Sequence, residues 1–369
     1  MIHIQSVQLR EIHLPLVHYF ETSFGRTCNR RIILLTVRTQ DGAGYGECTA
    51  GEEPSYSSET TETAWHILSD FIIPRLLGRD LEDARAVAPI LDPIRGHRMA
   101  KAALETAAWD LEARMRGVPL SRHIGGVRNE ISCGVSIGIQ ASIEALLENV
   151  RREVAAGYRR IKIKIKPGWE IEPLRRIRAE FPDFPLMVDA NSAFHLTDIH
   201  LLRRLDQFNL MMIEQPLACD DIVDHAVLQK EIETPICLDE SIHSAEDACK
   251  AVEMGSCRII NVKLGRVGGY SEAIKINDYC TRLAIPIWCG GMLESGVGRA
   301  HNIAMSSLSA FTLPGDVSAS KRYFAEDTVQ PPVTVTPEGT IRLTDRPGIG
   351  YDLDWERIQR ATMRIRDFK

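Results

Sequence analysis

The chain has 369 residues, with 44 Lys and Arg against 50 Asp and Glu, for a formal net charge of −6. A mildly acidic chain lacks the basic face that nucleic acid or an anionic membrane needs in a partner. Apolar residues make up 44% and charged residues 25%, the balance of an ordinary soluble globular protein of two domains or one large α/β domain. No run of about 18 apolar residues suggests a membrane span. Met1-Ile2-His3-Ile4-Gln5 lacks the regions of a signal peptide. The nine Cys are odd in number, without Cys-x-x-Cys spacing, and several, such as Cys237 and Cys289, lie in apolar runs. They read as buried free thiols, and a cytoplasmic location is expected.

The opening stretch is α+β in character. Strand-like runs from Arg31 to Arg38 and from Gly44 to Cys48 flank the turn Gln40-Asp41-Gly42. Helical patterns follow, the clearest from Met99 to Arg116, stopped by Gly117-Val118-Pro119. Gly125-Gly126 marks a boundary.

From Ile131 onward, short apolar runs alternate with amphipathic stretches such as Ser142 to Ala155 and Ser244 to Met254. Eight strands are expected: Ser132–Ile137, Arg160–Ile165, Leu186–Val188, Leu210–Ile213, Pro235–Leu238, Arg258–Val262, Ile285–Trp288 and Phe311–Leu313. Such alternation predicts a parallel sheet, and eight units predict a (β/α)8 TIM-type barrel.

The residues that end these strands are in phase. Lys164, Asp189, Glu214, Asp239 and Lys263 stand 25, 25, 25 and 24 residues apart, and Cys289 and Pro314 continue the period at 26 and 25. One βα unit has that length, so each residue closes a strand at the carboxyl end, where such barrels carry their active sites. Charged loop starts that happen to be in phase are the plainer alternative.

Asp189, Glu214 and Asp239 end neighbouring strands three, four and five. Adjacent carboxylates repel unless a cation lies between them, and an oxygen-only set suits Mg²⁺, with Mn²⁺ as a substitute. Carboxylates paired with the rim lysines are the bland alternative. Lys164 ends strand two and Lys263 ends strand six, on opposite walls. A substrate carboxylate on the metal would hold its α-carbon between them, so that one lysine removes a proton while the resulting enediolate is stabilised. Lys162 lies two residues before Lys164, on the same side of the strand, where a second cation favours loss of the proton from Lys164. Lys166 reads as a solvated charge.

Lys162-Ile163-Lys164 with Asp189, Glu214, Asp239 and Lys263 resembles the enolase superfamily in its muconate-lactonizing subgroup, across essentially the whole chain. Further motifs are Phe20-Glu21-Thr22-Ser23-Phe24-Gly25, Gly96-His97-Arg98-Met99-Ala100-Lys101, Gly134-Val135-Ser136-Ile137-Gly138 and Trp288-Cys289-Gly290-Gly291-Met292-Leu293-Glu294-Ser295-Gly296. These are similar to the o-succinylbenzoate synthase / N-succinylamino acid racemase family. The resemblance implies an α+β capping domain from residues 1–125, completed by 326–369, over a barrel of 126–325. It implies Mg²⁺-dependent syn dehydration of 2-succinyl-6-hydroxy-2,4-cyclohexadiene-1-carboxylate in menaquinone synthesis, with N-succinylamino acid racemisation as a second or main role. Lys164 is then the base and Lys263 the stabiliser of the opposite face. Gly290, Gly291, Met292 and Ser136 become contacts to the succinyl arm, the loop with Phe24 becomes a closing flap that contacts substrate, and Arg266, a further substrate-binding candidate, accompanies racemase ability. The expected partner is a small carboxylate bearing a succinyl arm, with a homo-oligomer as the assembly.

Other readings fit less well. A mandelate-racemase-type site needs a His where Cys289-Gly290-Gly291 stands. A dipeptide epimerase should show an Asp-x-Asp pair where Pro314-Gly315-Asp316-Val317-Ser318 has one Asp. Phosphate binding by the late glycines leaves the three carboxylates unexplained. A catalytically dead scaffold should lack one of the ligands or lysines.

Overall fold

Alternating apolar residues build the sheet at the start of the chain. In Ser6–Glu21 the side chains of Val7 and Leu9 and then of Ile12 and Leu14 are buried, two period-two runs whose phase shifts by one residue at the buried Glu11. This strand pairs antiparallel with Arg26–Thr39, which pairs with Gly42–Cys48. The last strand, Thr362–Phe368, adds to the free edge of Ser6–Glu21, so the chain's end joins its beginning. The expected hairpin is present, and both its strands begin earlier than anticipated. A computed structural model describes residues 1–369.

The helix Arg98–Met115 lies against this sheet almost wholly buried. Its approach depends on two glycines, since a Cβ on Gly46 would stand 2.1 Å from the Ala103 carbonyl oxygen and one on Gly44 2.2 Å from that of Ala107. Small residues on both sides let helix and strand pack backbone to backbone. The other face of the helix meets the turn Leu264–Val267 after the sixth barrel strand.

Seven parallel strands follow: Val135–Ile137, Ile161–Lys164, Leu186–Asp189, Ile213–Glu214, Ile236–Leu238, Ile259–Val262 and Ile287–Cys289. They lie side by side in chain order. The eighth is not a regular strand. Phe311 bridges Ile287 on one edge and Gly315 bridges Cys133 on the other, so the segment closes the curled sheet through single bridges. Pro314, without an N–H, interrupts the ladder there. A short 3-10 turn, Ser320–Arg322, follows it. The expected first strand also divides: Glu130–Ser132 pairs with Thr340–Arg342, and only Val135–Ile137 enters the barrel.

The barrel interior is layered by the two-residue period. Two residues below the strand-end groups lie Lys162, Met187, Met212, Cys237 and Asn261, all buried. Met187, Met212 and Cys237 join Ile259 and Trp288 in a small apolar cluster of their own. Six Cys are buried, while Cys28 and Cys219 are exposed, contrary to the expectation of buried thiols throughout. No helix is long and apolar enough to cross a membrane.

Candidate active site

Parallel register delivers the predicted residues to one rim. Lys164 lies opposite Asp189, and Asp189 opposite Glu214. Asp239 and Lys263 directly follow strands five and six. The backbone turns sharply just past the carboxylates: Asn191 has φ +44° and Gln215 φ +37°. Left-handed conformations are strained for such residues and collect at functional sites.

Lys164 and Lys263 line one cavity of about 400 Å³ together with Asn191, Tyr56, Phe20, Phe24, Gly291 and Met292. Lys164 Nζ donates to Asp189 Oδ2 at 2.6 Å and to Asn191 Oδ1 at 2.7 Å. Across the mouth, Lys263 Nζ donates to Asp239 Oδ2 at 2.6 Å and to Tyr56 Oη at 3.1 Å. Strands two and six are four places apart in the sheet, with the strands of Asp189, Glu214 and Asp239 between them.

All three carboxylates are buried to within 1% of complete. Burial pushes the Asp189 carboxyl up, but Lys164 and Lys162 outweigh it and hold it below its ordinary value. Burial, followed by the charge of Asp189, raises Glu214. The three do not form a ready-made ligand cluster, because ammonium groups lie between them. The donor set itself fits a hard divalent cation: oxygen-only, on adjacent strands, with Glu214 raised by burial and a neighbouring negative charge. Asp189, Glu214 and Asp239 would hold the ion once the lysines swing aside. Glu240 adds a further buried carboxylate, bonded to Asn191 through Oε1, while Oε2 has no partner.

Below the rim lies a cluster that the sequence reading missed. Lys162 Nζ contacts Asp316 at 2.8 Å, Glu214 at 2.9 Å and Asp189 at 3.3 Å, and lies 4.7 Å from the Trp288 ring centre. Burial lowers the Lys162 pKa, but the three carboxylates outweigh it and raise it. Lys162 is therefore a fixed cation beneath the rim carboxylates. Asp316 also accepts from Arg160 at 2.7 Å and from Ser136 Oγ at 2.8 Å.

Several expected substrate contacts fall elsewhere. Ser136 is buried and bonded to Asp316, outside the cavity lining. Arg266 is not a cavity contact either: its guanidinium holds Asp239 and donates from Nε to the Ile242 carbonyl at 2.7 Å. Gly290 gives way to the machinery, since a Cβ there would meet Asn261 Oδ1 at 2.3 Å and Lys263 Cε at 2.6 Å. Gly291, Met292 and Phe24 do line the cavity. The segment around Phe24 is the tip of a β-hairpin rather than a free loop, with Phe20 opposite Thr27 and Glu21 opposite Arg26. The tip docks on the barrel: Ser23 Oγ donates to the Asn191 carbonyl at 3.1 Å, and Ile139 N donates to the Glu21 carbonyl at 2.9 Å. Tyr56 reaches down from the cap to Asp239 Oδ1 at 3.0 Å. No periodicity in the sequence marks it.

Two family models match the chain: "Mandelate racemase / muconate lactonizing enzyme, N-terminal domain" over residues 5–125 and "Enolase C-terminal domain-like" over residues 145–357. An o-succinylbenzoate synthase of Geobacillus stearothermophilus is 52% identical over 98% of this chain and 96% of its own length. An N-succinylamino acid racemase of Thermus thermophilus is 46% identical over 98% of this chain and 97% of its own. The crystal structure of an enolase-superfamily member from Listeria innocua superposes with a TM-score of 0.96 at 42% identity, covering 100% of this chain and 99% of that one. The chain belongs to the o-succinylbenzoate synthase / N-succinylamino acid racemase family, in the muconate-lactonizing subgroup of the enolase superfamily.

Proposed function

We propose that the chain is an o-succinylbenzoate synthase that also racemises N-succinylamino acids. The observation that carries the reading is the placement of Lys164 and Lys263 at the ends of strands two and six, facing one cavity with three buried carboxylates between them. Enolase-superfamily sites pair a Lys or His base with Mg²⁺. Asp189, Glu214 and Asp239 would hold Mg²⁺ (or Mn²⁺ in its place), which would supply positive charge against the substrate carboxylate.

The protein's own groups do the rest. Lys164 accepts the α-proton, the C–H electron pair forms the new ring double bond as the C–O bond to the adjacent hydroxyl breaks on the same face, and the departing hydroxide takes the proton from Lys164 and leaves as water. Lys263 places an ammonium on the other face, where charge develops. Asn191, bonded to Lys164, fixes the direction of its amine. In racemisation one lysine removes the proton and the other returns one from the opposite side. Gly291 and Met292 face the succinyl arm. The hairpin tip with Phe24 excludes water from the mouth. Segments 1–125 and 326–369 act as the cap on a 126–325 barrel, in a homo-oligomeric cytoplasmic enzyme of menaquinone synthesis.

The test is solvent deuterium exchange at the α-carbon of each enantiomer of an N-succinylamino acid, read by proton NMR. Lys164→Ala should lose exchange from one hand and retain it from the other, and Lys263→Ala should show the reverse. Dehydration should fall by several orders of magnitude in Lys164→Ala. Equal exchange of both hands in either variant refutes the opposed-lysine placement.

A further inference from the structure

Four cations line the active-site cavity: Arg26, Arg30, Lys164 and Lys263. Three have carboxylate partners. Arg26 is held by Glu21 at 2.7 Å, Lys164 by Asp189 and Lys263 by Asp239, each at 2.6 Å. Arg30 has none, although it is only 5% exposed. Its Nη2 donates to the Thr49 carbonyl at 2.9 Å and the Ala50 carbonyl at 3.4 Å, which fixes the plane of the guanidinium. Its Nε is buried without any acceptor.

The acids nearest in charge terms are committed elsewhere. Glu47 accepts from Ser295 Oγ at 2.5 Å and from Gly298 N at 2.9 Å, and burial pushes its carboxyl up to about 7. Glu294 accepts from Asn302 at 2.9 Å. A buried guanidinium with no carboxylate in ion-pair contact is costly unless an anion completes it at its cavity side, where Glu52 and Glu53 are the other charged lining residues. The fork geometry of arginine matches a carboxylate.

We propose that Arg30 is the receptor for the distal carboxylate of the substrate's succinyl arm, and so sets the enzyme's preference for succinyl over uncharged acyl groups. The proposal rests on the functional reading above, in which the α-carboxylate lies at the barrel rim; the second carboxylate then extends toward the cap. Arg30 comes from the strand Arg26–Thr39, on the cap side of the cavity, whereas both lysines come from the barrel. One end of the cavity would recognise chemistry and the other identity.

The experiment compares racemisation of an N-succinylamino acid with that of its terminal amide, the N-succinamoyl analogue, which keeps the shape and removes the charge. Wild-type enzyme should prefer the acid in kcat/KM by about 10- to 100-fold, the range for a charge-assisted hydrogen bond. In Arg30→Gln that ratio should fall toward one, and in Arg30→Lys it should lie between. Should the glutamine variant fail to fold, the lysine variant carries the test, with a ratio lowered at least about threefold. An unchanged ratio in the variants means Arg30 only ties down the Thr49–Ala50 loop and overturns the proposal, as does a wild-type enzyme indifferent to the charge. Wild-type enzyme inactive on both the N-succinylamino acid and the cyclohexadiene carboxylate overturns the functional reading and the proposal together. Activity on either with a flat acid-to-amide ratio overturns the proposal alone.

Discussion

Asp316→Asn tests the buried charge cluster beneath the rim. Asp316 accepts from Arg160 through Oδ1 at 2.7 Å and from Ser136 through Oδ2 at 2.8 Å, with Lys162 Nζ also 2.8 Å from Oδ2. An asparagine keeps one acceptor oxygen and turns an NH₂ toward groups that are themselves donors. Removing one partner of a buried ion pair costs roughly 3–5 kcal/mol. The low end applies here, about 3 kcal/mol, because Lys162 retains Glu214 at 2.9 Å and Arg160 retains the Pro314 carbonyl at 2.8 Å. Burial raises the Asp316 carboxyl, but Lys162 and Arg160 outweigh it and hold it well below its ordinary value. A depressed carboxyl contributes stability above its unfolded pKa and loses it as pH falls through the folded one. The gap between wild type and variant should therefore be constant from about pH 5 to 8 and close only in stronger acid. Lys162, deprived of Asp316, leans harder on Glu214, so Mg²⁺ should bind roughly tenfold more weakly, about 1.4 kcal/mol. Urea unfolding followed by circular dichroism reads the first effect and calorimetric Mg²⁺ titration the second. A variant matching wild type in both refutes the view that Asp316 organises this cluster.

Asp189→Asn, Glu214→Gln and Asp239→Asn should each abolish turnover and calorimetric Mg²⁺ binding while leaving the circular dichroism spectrum unchanged; turnover that persists after complete chelation of metal refutes the ligand assignment. Glu47, raised to about 7 by burial, binds its proton more tightly folded than unfolded, so it costs stability as pH rises from the ordinary carboxylate range through 7. Across that window Glu47→Gln should flatten the pH dependence of the melting temperature by the equivalent of about 3 kcal/mol, and parallel wild-type and variant curves count against the assignment.

The barrel was legible because its chemistry recurs with the length of one βα unit. Lys164, Asp189, Glu214, Asp239 and Lys263 betray their common rim by spacing alone. Asp316 escaped that logic by lying two residues past the in-phase Pro314, so it shares the inward face without sharing the period. Tyr56 and Arg30 were hidden for another reason: they belong to the cap, and what they touch depends on how two chain segments dock. Ser136, at the end of strand one, and Arg266, three residues past Lys263, were read as substrate contacts, and spacing could not show that each bonds a buried carboxylate of the barrel. The strand Ser6–Glu21 was missed because buried Glu11 breaks its apolar pattern, the charge being matched by Arg31 at 2.6 Å and Arg364 at 2.7 Å.

Metal and substrate should bind as a pair, and the charges of the barrel interior say why. Asp189, Glu214, Asp239, Glu240 and Asp316 are matched by Arg160, Lys162, Lys164, Lys263 and Arg266, all of them buried. Four of these carboxylates are already bonded to the cations, while Glu240 bonds the Asn191 amide, so a divalent ion entering alone must displace ammonium groups from Asp189 and Asp239 and leave an excess of two positive charges. A dicarboxylate brings negative charge to the same cavity: one group offsets part of that excess at the rim, and the other goes toward Arg30, a cation outside this balance. Affinities of the two ligands are then linked by one coupling energy, equal in either order of addition. Calorimetric titration of Mg²⁺ into enzyme with and without saturating o-succinylbenzoate measures it. We expect the metal to bind at least tenfold more tightly with the dicarboxylate present, a coupling of about 1.4 kcal/mol, and the same factor for the dicarboxylate when metal is present. Equal Mg²⁺ affinity in both titrations would refute the argument from charge balance.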